Sequence, residues 1–127
     1  KTYNTDAQVS DSASTMTAII SGVKTRTGVL GVDENIRRGD HTSVEATRVR
    51  SILEEAEARG LATGVVSTTT VTHATPAGCY AHAPFRFWED DSRMRSLSVA
   101  GAVISSHAAK PIRRTPIDPA TASTAAT

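Results

Sequence analysis

The sequence predicts an α/β protein, because helical and strand-like patterns alternate along its first two thirds. Apolar residues recur at helical spacing after Ser12, and a second helical pattern runs from about Ser43 to Arg59. The next segment, from Leu61 to Val71, is apolar and rich in β-branched residues, as strands are. This α-then-β order indicates one unit of a larger α/β sheet, in which ligands bind at the rim.

The first helix is predicted to begin at Ser12, directly after Asp11. The unpaired N–H groups at a helix N-terminus and its partial positive charge attract anions. A serine hydroxyl at this position can attack phosphorus, although an aspartate or serine here is more commonly a simple helix cap. The pattern stops before Gly28 and Gly31. The apolar stripe of this helix consists of Met16, Ile19, Ile20 and Val23.

The second helix is predicted from a capping-box pattern, Thr42 to Glu45, and from Gly60, which suits the position just after a helix. Its apolar stripe consists of Val44, Val49, Ile52, Leu53 and Ala56. The charged run at residues 33–40 is interpreted as a surface loop.

Composition limits the function classes open to the chain. It has 127 residues, enough for one small domain, and a formal net charge of +1, which indicates neither a nucleic-acid partner nor an acidic one. No signal peptide or apolar run of membrane-spanning length is visible. Cys79 is the single cysteine, so an intramolecular disulfide is excluded and a small buried thiol is predicted.

Three blocks of sequence resemble the alkaline phosphatase family. They are Val9–Ala18 around the Asp11-Ser12 pair, Ser21–Asp33, and Gly60–Arg86 with its Thr72-His73-Ala74-Thr75-Pro76 core. Together they cover about residues 1–94 in the order and spacing of that family. The resemblance implies a partial, incomplete three-layer α/β/α sheet fold, and a chain that is a central fragment of a longer enzyme.

The resemblance assigns a role to each candidate site residue. Ser12 matches the nucleophile that becomes a phosphoserine, Asp11 the acidic neighbour that positions an arginine, and Arg86 that phosphate-binding arginine. A guanidinium suits a phosphate dianion because it donates two parallel hydrogen bonds. Thr75 matches a magnesium ligand, and an oxygen donor suits that hard cation. His73 falls at the same magnesium site, where an imidazole would act through a water molecule.

The resemblance further implies two zinc ions and one magnesium ion in the parent enzyme, with no zinc ligand in this chain beyond the contact of Ser12. It implies a phosphate monoester as substrate, a homodimeric parent, and a periplasmic or extracellular location. Nucleic acid is not expected as a partner. The isolated chain is expected to fold poorly and to be inactive. Two alternatives stay open: a non-catalytic α/β scaffold, and a related metal-dependent phosphodiesterase or phosphotransferase.

Composition changes at the boundary between residues 1–94 and residues 95–127. The second part holds four basic residues, one acidic residue and no aromatic residue, and it is rich in Ala, Ser, Thr and Pro. We interpret it as an off-family tail, either disordered or produced by a reading-frame slip, with a divergent natural linker as the alternative. A short helix or strand is expected over Leu97–Ile104. The histidines outside the motifs, His41, His82 and His107, are predicted to be surface or helix-cap residues.

Overall fold

The computed structural model describes residues 3–97, without the side chains of the last two. Within this range α1 spans Ser12–Ser21, a 3₁₀ turn His41–Ser43, α2 Val44–Thr47, α3 Ile52–Ala58, α4 Ala74–Ala77 and α5 Asp91–Leu97. No helix in the described range is long and apolar enough to cross a membrane. The expectations for residues 98–127, including the segment beyond Leu97 and His107, lie outside the described residues.

Helix α1 begins at Ser12, as predicted, because Asp11 caps it. The Asp11 backbone is extended (φ −94°, ψ 174°), and its carboxylate accepts a hydrogen bond from the backbone N–H of Ser14. The helix ends at Gly22, whose φ of 76° is left-handed, so Val23 lies beyond it. The predicted apolar stripe is not the buried face, since Ile19 is 70% exposed. The buried residues of α1 are Ala13, Ser14 and Thr17.

The predicted helix from Ser43 to Arg59 is wrong as a single element, because residues 48–51 separate α2 from α3. Arg48 is extended (φ −56°, ψ 134°) and forms an antiparallel bridge with Val32. Val49 N–H donates to the Gly31 carbonyl at 3.0 Å, and Asp33 N–H donates to Thr47 at 2.7 Å. The Val49 N–H and the Thr47 carbonyl, which a continuous helix would use, are therefore bonded to residues 31 and 33 instead.

The capping box lies at the start of α3 and not at Thr42–Glu45. The Ser51 hydroxyl accepts from the Glu54 N–H at 3.2 Å, and the Glu54 carboxylate accepts from the Ser51 N–H at 2.8 Å. At the other end, Gly60 follows the helix with a φ of 77°, as predicted. Its N–H and that of Leu61 donate to carbonyls in the last turn of α3.

The predicted strand Leu61–Val71 is not formed in the described residues, which contain two isolated antiparallel bridges in place of a sheet. A strand needs a neighbour to satisfy its N–H and C=O groups, and this segment faces solvent instead. Leu61, Val66 and Val71 are 60%, 101% and 62% exposed. The α/β prediction is thus met only in part: the helices form, and sheet pairing is confined to the two bridges.

Both bridges involve residues 28–33, which we call the central segment. Leu30 pairs with Ala83 through two hydrogen bonds of 2.8 and 2.9 Å, and the Arg86 N–H donates to the Gly28 carbonyl at 2.8 Å. On the other side lie the bridge and hydrogen bonds to residues 47–49. The central segment therefore connects three regions that are far apart in sequence.

The core of the described residues consists of two clusters, and the central segment contributes residues to both. Leu30 packs with Ala13, Ala74 and Ala77, whereas Val32 packs elsewhere. In a regular strand, residues two apart share a face; here Gly31, with a φ of 59°, lies between them and interrupts the alternation. The second cluster consists of Val29, Val32 and Ile36, with Val44 packed against it.

Helices α1 and α4 pack closely through small residues. Gly78 follows α4, and a Cβ atom built there would lie 2.9 Å from the Met16 Cβ atom. Ala13, near the start of α1, and Ala74, at the start of α4, therefore belong to the same core cluster.

Candidate functional site

The N-terminus of α1 is the part of the structure where most of the candidate residues meet. Ser12 is the first residue of the helix and is half-buried. The N–H groups of the first helical turn lie beside it, and they carry the positive end of the helix dipole. A Thr17 hydroxyl that accepts from the Gly31 N–H at 3.0 Å fixes the helix to the central segment. The serine oxygen thus lies on a rigid element at an anion-attracting position.

Arg86 lies 75 residues after Asp11 in the sequence and contacts this end of the helix. Its Nη1 atom donates to Asp11 Oδ2 at 3.0 Å, and the two side chains are 17% and 20% exposed. Its backbone is held by Gly28, as described above, and its guanidinium carbon lies 5.3 Å from the centre of the Phe87 ring. The structure therefore places a largely buried guanidinium next to the residue that precedes Ser12.

The Asp11 carboxylate is ionised in this environment. Burial raises its pKa, but hydrogen bonds from the Ser14 hydroxyl and N–H, and then from Arg86, lower it more, so the net shift is downward from 3.8. A charged carboxylate is the stronger acceptor for a guanidinium. Asp11 thus both caps α1 and binds Arg86 at neutral pH.

Thr75 lies on helix α4, and His73 directly precedes that helix. Thr75 is a half-buried residue of α4, and His73 is the N-cap residue of that helix, although its side chain makes no capping hydrogen bond. Packing of Ala74 and Ala77 against Ala13 brings α4 alongside α1. Among the hydrogen bonds of residues 3–97, none joins the side chain of His73 or Thr75 to Asp11, Ser12 or Arg86.

The imidazole of His73 contains a buried atom without a partner. Its Nδ1 atom is enclosed and has no hydrogen-bond partner in the described part of the chain. A buried polar nitrogen in this condition costs free energy unless another group satisfies it. A metal-bound water would do so, and this observation fits His73 at the edge of a magnesium site. No group of three or more His, Cys, Asp or Glu side chains that could hold a metal is found within residues 3–97.

The interpretation of His82 as a surface or cap histidine is wrong. Its side chain is 10% exposed, with Nδ1 at 2.6 Å from the Gly31 carbonyl oxygen and Nε2 at 3.2 Å from Glu54 Oε1. The sequence around His82 gives no sign that a distant carbonyl and carboxylate will enclose this side chain.

His41 begins the 3₁₀ turn, and Cys79 is buried as predicted. Burial raises the pKa of the Cys79 thiol.

Sequence reasoning also missed Ser14 and Asn4. Ser14 is 2% exposed, and its hydroxyl lies 2.6 Å from Asp11 Oδ1 and 2.8 Å from Asn4 Oδ1. A hydroxyl three residues after a helix-capping aspartate is a local signal that could have identified Ser14. Asn4 is ten residues away from Ser14 and had no such signal.

Comparisons with known proteins converge on one family. A family model described as alkaline phosphatase matches residues 1–119. The chain is 48% identical over 94 residues to the tissue-nonspecific alkaline phosphatase of Gallus gallus, covering 74% of this chain and 18% of that protein. Alkaline phosphatase 4 of Drosophila melanogaster is 48% identical over 99 residues, covering 78% and 16% respectively. The chain therefore spans less than a fifth of the length of these curated relatives.

Solved structures give the same result. The alkaline phosphatase from the Antarctic bacterium TAB5 matches with a TM-score of 0.61 and 38% identity, covering 78% of this chain and 27% of that one. A histidine-to-aspartate variant of the same enzyme, with Mg bound in its M3 site, matches with a TM-score of 0.60 and 40% identity over 70% of this chain and 23% of that one.

Proposed function

The chain belongs to the alkaline phosphatase family, and we propose that it supplies the nucleophile and the phosphate-binding arginine of a metal-dependent enzyme that hydrolyses phosphate monoesters. The observation that carries this proposal is the contact between Asp11 and Arg86, which sets a guanidinium beside the helix turn that starts with Ser12. The activity is that of a complete enzyme, of which the chain spans a minor part.

In the proposed reaction, the Ser12 oxygen attacks the phosphorus atom of the monoester. The bond between phosphorus and the ester oxygen breaks, the alcohol leaves with a proton, and a phosphoserine remains on Ser12. Water then attacks the same phosphorus, which releases inorganic phosphate and restores the hydroxyl. Arg86 binds two non-bridging phosphate oxygens through guanidinium N–H groups that Asp11 does not use.

The metal requirement is part of the proposal. Thr75 would offer its hydroxyl to magnesium, and His73 would bind a water of that ion through its buried Nδ1 atom. Two zinc ions, held by ligands outside this chain, would lower the pKa of the attacking hydroxyl and neutralise charge on the leaving oxygen. The Mg-bound family structure described above supports a metal cofactor.

We further propose that the parent is a homodimer that acts in the periplasm or outside the cell. One of the curated relatives is named a membrane-bound alkaline phosphatase, from Bombyx mori, and is 46% identical over 97 residues.

The test uses a reconstructed enzyme, in which residues 1–94 replace the matching segment of a complete relative. Hydrolysis of p-nitrophenyl phosphate is measured for the reconstructed enzyme without substitutions and for its Ser12→Ala variant. The substitution removes the attacking oxygen and should lower turnover by roughly 10³-fold or more. Ser21→Ala is the matched control, since that hydroxyl lies at the other end of α1 and donates to the Thr17 carbonyl.

Three results would contradict the proposal. Unchanged turnover in Ser12→Ala would show that the nucleophile is wrong. A reconstructed enzyme that folds without substitutions but is inactive would favour the non-catalytic scaffold. Faster hydrolysis of bis-p-nitrophenyl phosphate than of the monoester would favour a related phosphodiesterase.

A further inference from the structure

Two consecutive hydrogen bonds link the buried Ser14 hydroxyl to the guanidinium of Arg86 through the Asp11 carboxylate. The Asn4 amide nitrogen donates to Thr27 Oγ1 at 2.7 Å, and Asn4 Oδ1 lies 2.8 Å from the Ser14 hydroxyl. That hydroxyl lies 2.6 Å from Asp11 Oδ1, and Asp11 Oδ2 accepts from Arg86 at 3.0 Å. The Ser14 hydroxyl has one proton, and it donates that proton to the nearer and charged oxygen, Asp11 Oδ1. Ser14 is 2% exposed, so water does not compete for this bond.

Ser14 and Arg86 bind different oxygens of the Asp11 carboxylate. Its N–H and its hydroxyl are both directed at Oδ1, at 3.1 and 2.6 Å. With Oδ1 held at two points, the carboxylate cannot rotate freely about its Cβ–Cγ bond, and Oδ2 is the oxygen left facing Arg86. The Ser14 hydroxyl is thus connected to the guanidinium through the carboxylate, without touching it.

The hydroxyl bond is separable from the helix cap. An N-cap aspartate needs only the backbone N–H of the third helical residue, which any amino acid except proline supplies at position 14. The Ser14 hydroxyl adds a second bond to a charged acceptor, and bonds of that kind are stronger than neutral ones. Substitution of Ser14 therefore removes the second bond and leaves the cap in place.

We propose that Ser14 is a positioning residue for the phosphate site: it fixes the Asp11 carboxylate so that Arg86 presents its remaining N–H groups to the substrate. The inference rests on the proposed function, and it extends that function to a residue outside the reacting groups. A planar guanidinium binds phosphate through two parallel bonds only when its plane is held within about 10–20°.

The first experiment measures inhibition by inorganic phosphate in the reconstructed enzyme. Ser14→Ala should raise the inhibition constant of phosphate about tenfold, the effect of losing one hydrogen bond to a charged group. Ser14→Cys, which keeps nearly the same volume but is a weak donor, should show the same loss. Ser21→Ala is the control hydroxyl on the same helix and should leave phosphate binding unchanged.

A double-substitution cycle separates positioning from general stability. If Ser14 acts through Asp11, Ser14→Ala should add no further loss in a protein that already carries Asp11→Asn. An equal loss in both backgrounds, or phosphate binding in Ser14→Cys equal to that of the parent protein, would overturn the inference.

The second experiment does not depend on turnover, so it distinguishes failure of this inference from failure of the proposed function. Crystal structures of the reconstructed protein, with and without Ser14→Ala, report the torsion of the Asp11 carboxylate and its distance to Arg86. We expect the contact of 3.0 Å to lengthen or split into two conformers in the variant. An unchanged Asp11–Arg86 geometry would overturn the inference even in an active enzyme, and a shifted geometry in an inactive protein would leave it standing.

Discussion

Asp11 and Arg86 lie 75 residues apart in the sequence, yet Arg86 Nη1 donates to Asp11 Oδ2 at 3.0 Å at the N-terminus of α1. Two features make this contact possible. The Arg86 backbone is bonded to Gly28 in the central segment, and the Thr17 hydroxyl fixes α1 to Gly31 in the same segment. The contact joins a helix cap to an arginine suited to bind phosphate.

Arg86→Lys should weaken phosphate inhibition of the reconstructed enzyme by roughly 10²-fold. A lysine keeps the charge but cannot donate to Asp11 and to two phosphate oxygens in one plane. Arg50→Lys is the matched control, because Arg50 is an exposed arginine whose Nη1 atom pairs with Glu55 Oε1 at 2.7 Å. Equal inhibition constants for the parent protein and Arg86→Lys would argue against phosphate recognition by Arg86.

Gly31→Ala should destabilise the reconstructed enzyme by about 2 kcal/mol or more, since strain and overpacking add. The residue has a φ of 59°, and a Cβ atom would contact the Ala81 carbonyl and lie 2.6 Å from His82 Nδ1. Gly39→Ala shares the positive φ, at 81°, but a Cβ atom there meets nothing within 4 Å. It should cost only about 1 kcal/mol. Urea denaturation compares the two; similar losses would mean that space around Gly31 is not limiting.

Ser51→Ala should lower the free energy of unfolding by about 1 kcal/mol, because it removes one half of the capping box at the start of α3. Ser43→Ala should cost less, since Ser43 precedes α2 without a side-chain cap and its hydroxyl donates to the Asp40 carbonyl. Chemical denaturation of the reconstructed enzyme measures both. A larger loss in Ser43→Ala than in Ser51→Ala would contradict this prediction.

The stability of the reconstructed enzyme should fall on acidification in part through Glu54. Burial raises the pKa of this carboxyl, but hydrogen bonds from the Ser51 N–H, His82 and Arg48 lower it more, and the net shift is downward from 4.5. The folded state then binds fewer protons, so the stabilisation is complete above about pH 4.5 and is lost as pH falls through the lower folded value.

Glu54→Gln should therefore reduce the loss of stability between pH 7 and pH 3, measured by denaturation at each pH. Glu55→Gln is the control at an exposed neighbour that pairs with the exposed Arg50. The same pH dependence in Glu54→Gln and in the parent protein would contradict the assignment.

The isolated 127-residue chain should unfold without a cooperative transition and should aggregate. The segment 61–71 exposes Leu61, Val66 and Val71 and has no paired neighbour in the described residues. Val66→Lys places a charge on this surface and should reduce light scattering on heating, whereas Val29→Lys buries the charge and should increase it. A sharp thermal transition in the 127-residue chain without substitutions would contradict the prediction.

The sequence by itself determined the local features and the family. The start of α1 at Ser12, the helix stop at Gly60 and the burial of Cys79 follow from capping chemistry, left-handed glycine and side-chain size, all of which act within a few residues. The motifs around Asp11-Ser12 and at residues 60–86 were sufficient for the family, which the comparisons confirmed.

Only the tertiary structure decided where the second helix breaks, what encloses His82, and that Asn4 lies against Ser14. Each of these depends on partners between 10 and 51 residues away, and helical periodicity carries no information at that range. Arg48 is not helical because it pairs with Val32, and Leu61–Val71 forms no strand because it has no pairing partner within residues 3–97. Hydrogen bonding of the backbone is obligatory, but the choice of partner is made by the fold.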